Sequence, residues 1–167
     1  MTNDGTRIGS EWNGLVQQVL AAAVELHKRL GPGFLESIYH KGLVVELRLA
    51  GLHTASEVEV PIFYRGIQLG RQRLDLVVAA KAIVELKAVA KLDASHFAQL
   101  RSYLAASGLP VGLLLNFSGP KLECRRVYSP AEREQFQALR ALRVSAPDHP
   151  SASDAARVTA VTPAAGS

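Results

Sequence analysis

The sequence predicts an α/β domain with the element order α-α-β-β-β-α-β-β-α. Three observations carry that reading. Apolar residues recur at three- and four-residue intervals in two N-terminal segments, alternate with charges at period two after Gly51, and run almost unbroken from Val111 to Phe117. A chain of 167 residues folding as one body buries roughly 70% of the surface its unfolded form exposes. Neither a disulfide nor a structural metal is then needed for stability.

The first helix spans Glu11 to Leu30, with Leu15, Val16, Val19, Leu20, Ala23, Leu26 and Leu30 on one stripe. Ser10 is the expected N-cap, and Gly31-Pro32-Gly33 ends the helix because proline cannot continue its hydrogen bonds. A second helix runs from about Leu35 to Ala50, closed by Gly51. Val58, Val60 and Ile62 then alternate with Glu57 and Glu59, a strand, and Arg65-Gly66 turns into another extended run. Two antiparallel strands follow, Gln72 to Val78 and Ala82 to Ala88, around a short turn at Ala79-Ala80-Lys81 that lacks the usual Gly or Asn. Asp93 caps a third helix, Ala94 to Ala106, ended by Gly108 and Pro110. Val111 to Phe117 is a strand buried on both faces, Leu122 to Tyr128 an edge strand, and Pro130 opens a last helix to about Leu142. Residues 1–10 are expected to be a flexible N-terminus and 11–143 the folded domain. The Ala/Ser/Pro-rich stretch 144–167 has no periodicity and is expected to be a disordered tail.

Composition narrows the class. The lone Cys124 has neither a disulfide partner nor a CxxC partner for zinc, which fits a reducing compartment. No apolar run approaches the ~20 residues of a membrane span, and the polar N-terminus lacks a signal-peptide core, so a cytoplasmic protein is expected. The net charge of +4 suits a polyanionic partner without requiring one. The tail holds Asp148, Asp154 and Arg157, so the basic excess belongs to the folded part.

The charged residues of the central strands carry the chemistry. In Val84-Glu85-Leu86-Lys87, alternate side chains share a face, so Glu85 and Lys87 project together. A loop at 79–81 sets Asp75 directly across from Glu85. Opposed carboxylates in a sheet repel by up to ~1 kcal/mol, and a divalent cation such as Mg²⁺, which takes oxygen ligands, would relieve them. The alternative is a solvated strand face in which Lys87 neutralises the acids. Glu36 shares a helix face with Tyr39, though a first-turn acid is also favoured by the helix dipole alone. His96, Gln99 and Tyr103 form a polar stripe on the third helix. Gln99 and Tyr103 could equally be a boundary hydrogen-bonding pair, and His96 reads as a boundary residue.

Gly33-Phe34-Leu35-Glu36-Ser37-Ile38-Tyr39, together with Asp75, Glu85-Leu86-Lys87 and Gln99-x-x-x-Tyr103, resembles the GxxExxY protein family of the PD-(D/E)XK nuclease superfamily. The likeness runs from about Leu15 to Val127, with Leu74 standing where the superfamily's label has Pro. It implies a restriction-endonuclease-like core: a central mixed β-sheet flanked by helices (α-β-β-β-α-β), here with an extra N-terminal helix. It also implies roles. Asp75 and Glu85 would ligate Mg²⁺ or Mn²⁺ with Glu36 as a third acid, and the main-chain carbonyl of Leu86 could join them. Lys87 would orient the attacking water or offset charge on the scissile phosphate, and Gln99 with Tyr103 would hold site and substrate. The implied partner is nucleic acid, DNA ahead of RNA, with Arg71, Arg73, Lys91, Arg101, Arg125 and Arg126 as candidate phosphate contacts, each otherwise an ordinary surface charge, no membrane, and a homodimer as an open option. Competing expectations are a nucleic-acid-binding protein that has lost efficient turnover, and an interaction module whose charged cluster completes an interface.

Overall fold

Two helices, α1 (Ser10–Leu30) and α2 (Glu36–Leu49), open the chain in the computed structural model, which describes residues 10–135 and 137. Helix α1 starts at Ser10 itself rather than after it. At Gly33 the backbone takes φ +105°, a value side chains rarely tolerate, and this lets the chain reverse between the helices. Tyr39 fixes the reversal: its hydroxyl donates to the Gly31 carbonyl at 2.7 Å and accepts from the Phe34 N–H at 3.2 Å. The Tyr39 ring is fully buried and stacks on Phe117 with centroids 4.5 Å apart.

Five strands form one sheet in the order β1-β2-β3-β4-β5. They are β1 (Thr54–Tyr64), β2 (Ile67–Val78), β3 (Ala82–Lys87), β4 (Val111–Asn116) and β5 (Glu123–Tyr128). Helix α3 (Ala94–Ser107) makes the crossover between β3 and β4, the parallel pair, while the other neighbours are antiparallel. The expected restriction-endonuclease-like arrangement is present: a mixed sheet flanked by helices, with the additional N-terminal helix. One boundary differs. The strand expected from Gln72 begins at Ile67, directly after the Arg65-Gly66 turn, which makes β1–β2 a long hairpin. Gln72 and its neighbours Arg71 and Arg73 all pair with β1, and the register slips only farther out, at Leu69.

Apolar residues divide cleanly between the two sheet faces. Leu76, Val84, Leu86, Leu113 and Leu115 join Val19, Leu26 and Leu43 beneath α1 and α2, whereas Leu74, Ile83 and Leu114 join Leu100 and Leu104 beneath α3. Burial of one such Leu contributes roughly 1.5–3 kcal/mol. Every residue of β4 is buried, as its unbroken apolar run predicts. Leu100 lies so close over the strand that a Cβ at Gly112 would meet its Cδ1 at 2.6 Å. Between β2 and β3, Ala79 and Ala80 both adopt positive φ, 52° and 53°, the conformation that Gly or Asn supplies in most tight hairpins. Asp93 caps α3 as expected. A further helix begins at Pro130, but its expected end near Leu142, most of the N-terminus expected to be flexible and the tail expected over 144–167 lie outside the described residues. Among the described residues no helix is long and apolar enough to cross a membrane.

Candidate active site

The site forms where two strand ladders fail together. Pairing of β2 with β3 follows the expected register but stops at Leu76↔Val84, one step short of Asp75 and Glu85. On its other side Asp75 also lacks a ladder partner, since the pairing with β1 skips Glu57, whose φ is +54°. The freed groups find other partners. Asp75 Oδ2 accepts the Leu86 N–H at 3.1 Å, and the Asp75 carbonyl is bonded by His40 Nε2 of α2 at 3.0 Å. The simple picture of two carboxylates paired across a regular ladder is therefore corrected. Repulsion between them disfavours that pairing, and Asp75 instead occupies the gap with its carboxylate on a main-chain donor.

Glu85 is almost wholly buried, and its Oε1 accepts from Lys87 Nζ at 2.8 Å. Its Oε2 is buried with no hydrogen-bond partner. Such an oxygen costs roughly 1–3 kcal/mol. Burial first, and then the nearby Asp75 charge, push the Glu85 carboxyl up to about 7 against the lowering effect of Lys87. Glu36, from the first turn of α2, faces the same group. Burial raises its carboxyl, Lys87 draws it down, Asp75 pushes it up, and the Ala88 N–H favours its charged form. For Lys87, burial alone would lower the ammonium, but its bond to Glu85 and the charges of Glu85, Glu36 and Asp75 together raise it. Glu36, Asp75, Glu85 and Lys87 thus share one electrostatic environment.

Helix α3 supplies the next shell. Gln99 Nε2 donates to the Tyr103 hydroxyl at 2.6 Å, the boundary pair anticipated, and burial followed by the Glu85 charge raises the Tyr103 phenol. His96 serves the helix: its Nδ1 accepts the Asp93 N–H at 3.0 Å, completing a capping box. Tyr39, the last residue of the Gly33–Tyr39 motif, points into the core rather than beside Glu36. Three residues escaped the sequence reading. His40 holds the Asp75 main chain, and its place four residues after Glu36 on one helix face was the available signal. Asn116 and Ser118 clamp Val89 just beyond β3, with Asn116 bonding both its N–H (3.1 Å) and its carbonyl (2.8 Å). A polar residue closing the apolar run of β4 was the signal there.

A cleft of about 450 Å³ opens beside Asp75, bounded by Glu36, His40 and Lys41 of α2, by Arg73 of β2 and by Leu86. Glu85, Lys87, Gln99 and Tyr103 do not line it. Of the anticipated phosphate contacts, Arg73 alone borders the cleft. Arg71 pairs with Glu59 and Arg125 with Glu123, Arg126 bonds Asn13 and Tyr128, and Lys91 and Arg101 are exposed. Carboxylate oxygens with one buried oxygen unpartnered suit a hard divalent cation, so the donor set fits. Among the described residues no three His, Cys, Asp or Glu side chains already stand together as a metal cage. In this arrangement the Lys87 ammonium takes the place of counter-charge.

Residues 13–127 match the family model of the PD-(D/E)XK nuclease superfamily. No curated protein matches the chain. Among solved structures, SSO0001 is 18% identical with a TM-score of 0.48, over 81% of this chain and 70% of its own. An alkaline exonuclease, LHK-Exo, from Laribacter hongkongensis is 12% identical with a TM-score of 0.44, over 75% and 80%. The same exonuclease in complex with dAMP is 11% identical with a TM-score of 0.40, over 77% and 93%.

Proposed function

Because the chain belongs to the PD-(D/E)XK nuclease superfamily, we propose that it hydrolyses phosphodiester bonds of DNA, with RNA as the second substrate class, using Mg²⁺ or Mn²⁺. Glu36, Asp75 and Glu85 would hold the cation, with the Leu86 main-chain carbonyl as a further oxygen. The observation that carries this reading is the buried Glu85 Oε2 without a donor, beside a second carboxylate whose strand ladder has been given up. A bound divalent cation would polarise a phosphoryl oxygen and lower the pKa of its water.

The chain's own residues supply the rest. Lys87 balances the acids in the free protein, and with its ammonium held on Glu85 Oε1 it is placed to turn toward charge growing on a phosphate. Because Gln99 donates to Tyr103, the phenol retains its own proton for a substrate oxygen. His40 keeps Asp75 turned into the gap. We further infer from the Gly33-x-x-Glu36-x-x-Tyr39 motif that the protein is of the GxxExxY family, and from its lone cysteine that it works in a reducing compartment, the cytoplasm. A second reading, nucleic-acid binding without efficient turnover, is favoured by the absence of a preformed three-ligand cage among the described residues.

The test is a cleavage panel over single-stranded, duplex and branched DNA and RNA, with Mg²⁺ or Mn²⁺. Wild-type cleavage that is lost in Asp75→Ala, Glu85→Ala and Lys87→Ala, all with native circular dichroism, supports the enzyme. Salt-sensitive binding with no cleavage of any substrate supports the second reading instead.

A further inference from the structure

We propose that the outer half of the β1–β2 hairpin is a binding arm for a single-stranded polynucleotide and guides it toward the carboxylate site, an inference that rests on the nuclease reading. Two features of the arm carry it. The first is its tip. Phe63, Tyr64, Ile67 and Leu69 are 60, 59, 68 and 66% exposed, within a hairpin end whose side chains are nearly all open to solvent. Large apolar side chains clustered at an exposed end mark an interaction surface. From Pro61 to Arg71 the chain carries Arg65 and Arg71 and no acid, and the Arg65 guanidinium lies 5.6 Å over the Tyr64 ring.

The second feature is the route inward. Arg71 and Arg73 are two residues apart on β2, so they share a face at a separation of about 6.6 Å. The intervening Gln72 points the other way, to Ser102 of α3. Arg71 and Arg73 therefore look away from α3, and Arg73 borders the cleft that Asp75 and Lys41 also line. Their partners, Glu59 and Glu57, form solvent-exposed pairs with them. Pairs of that kind contribute little, so a phosphate can displace them.

Cations at strand spacing leading to a tip that carries Tyr64, with Phe63 lining a groove on the side of Gln72 and Ser102, suit a backbone whose phosphates are followed and whose bases can stack without regard to sequence. Base faces are available on a single strand and covered in a duplex. A second copy of the chain fits less well. A symmetric contact of two such tips would bring Arg65 of both copies together with no acid in the tip to meet it.

The experiment measures fluorescence anisotropy of labelled single-stranded DNA, single-stranded RNA and duplex DNA with the full chain in EDTA, where cleavage does not intervene. Single strands are expected to bind more tightly than duplex, with the DNA and RNA arms deciding the sugar. Phe63→Ser/Tyr64→Ser should weaken single-strand binding about tenfold or more with the salt slope unchanged. Arg71→Ala/Arg73→Ala should lower the salt slope by about 1.4, and Glu57→Gln/Glu59→Gln should tighten binding. Unchanged affinity in the tip variant overturns the proposal. So does sedimentation showing that the tip change converts a dimer to a monomer. If the wild type binds yet cleaves nothing with Mg²⁺ or Mn²⁺, the nuclease reading fails while the arm stands; if the wild type cleaves and the tip variant binds equally well, only the arm fails.

Discussion

Replacing Glu85 by Gln should make the protein more stable at neutral and alkaline pH while destroying its proposed activity. Glu85 titrates near 7 in the fold instead of at its ordinary 4.5, because burial and Asp75 disfavour its charge. Between those two values the folded chain holds a proton that the unfolded chain has released. Stability therefore falls as pH rises through that window and is flat above it. At 1.36 kcal/mol per pKa unit the penalty is about 3 kcal/mol at pH 8 and about 1 kcal/mol at pH 5. Lys87 does not blur the comparison, since its raised pKa keeps it charged at both pH values. Glutamine keeps an oxygen for the Lys87 ammonium but carries no charge to desolvate. Urea unfolding of wild type and Glu85→Gln at pH 5, 6, 7 and 8 should show the difference between them shifting in the variant's favour by about 2.5 kcal/mol across the range. Parallel pH profiles for the two proteins would refute the argument, because they would mean that Glu85 carries an ordinary carboxyl.

Three further outcomes follow from the same geometry. Tyr39→Phe removes one hydrogen bond to Gly31 and one from Phe34; it should cost about 1–3 kcal/mol in chemical denaturation and lower cleavage, since Glu36 follows that reversal directly. His40→Ala leaves the Asp75 carbonyl without its side-chain donor; a loss of about 10- to 100-fold in apparent metal affinity is expected, read as a raised Mg²⁺ requirement with little change in rate at saturation. Ala80→Gly should raise the melting temperature by about 1–3 °C, because the left-handed conformation at Ala80 costs an alanine about 1–2 kcal/mol and glycine gives part of that back as unfolded-chain entropy.

Local pattern and site legibility part company at identifiable residues. The order of elements was legible because periodicities of 3.6 and 2 are local properties, and the hairpin register was legible because the short 79–81 loop ties Leu76 to Val84. The Glu85 and Lys87 pair followed from strand alternation, and their contact at 2.8 Å agrees. The place of Asp75 on its strand was legible, but not its setting, since a ladder that stops depends on three elements meeting: β1 through the irregular Glu57, β3 through the Leu86 N–H, and α2 through His40. Gln99 with Tyr103 was legible as a pair, while the role of His96 as a cap required the backbone of Asp93.

Sequence alone determined which side chains could do chemistry here and on which elements they sit, because apolar spacing dictates the buried face of each helix and strand wherever the chain is folded. Only the tertiary structure decided that Glu85 would be buried with an oxygen unpartnered, that Asp75 would leave both of its ladders, and that Arg73 rather than the other arginines would border the cleft. Those outcomes come from desolvation and charge repulsion among residues up to fifty positions apart, and such energies exist only once the elements have packed.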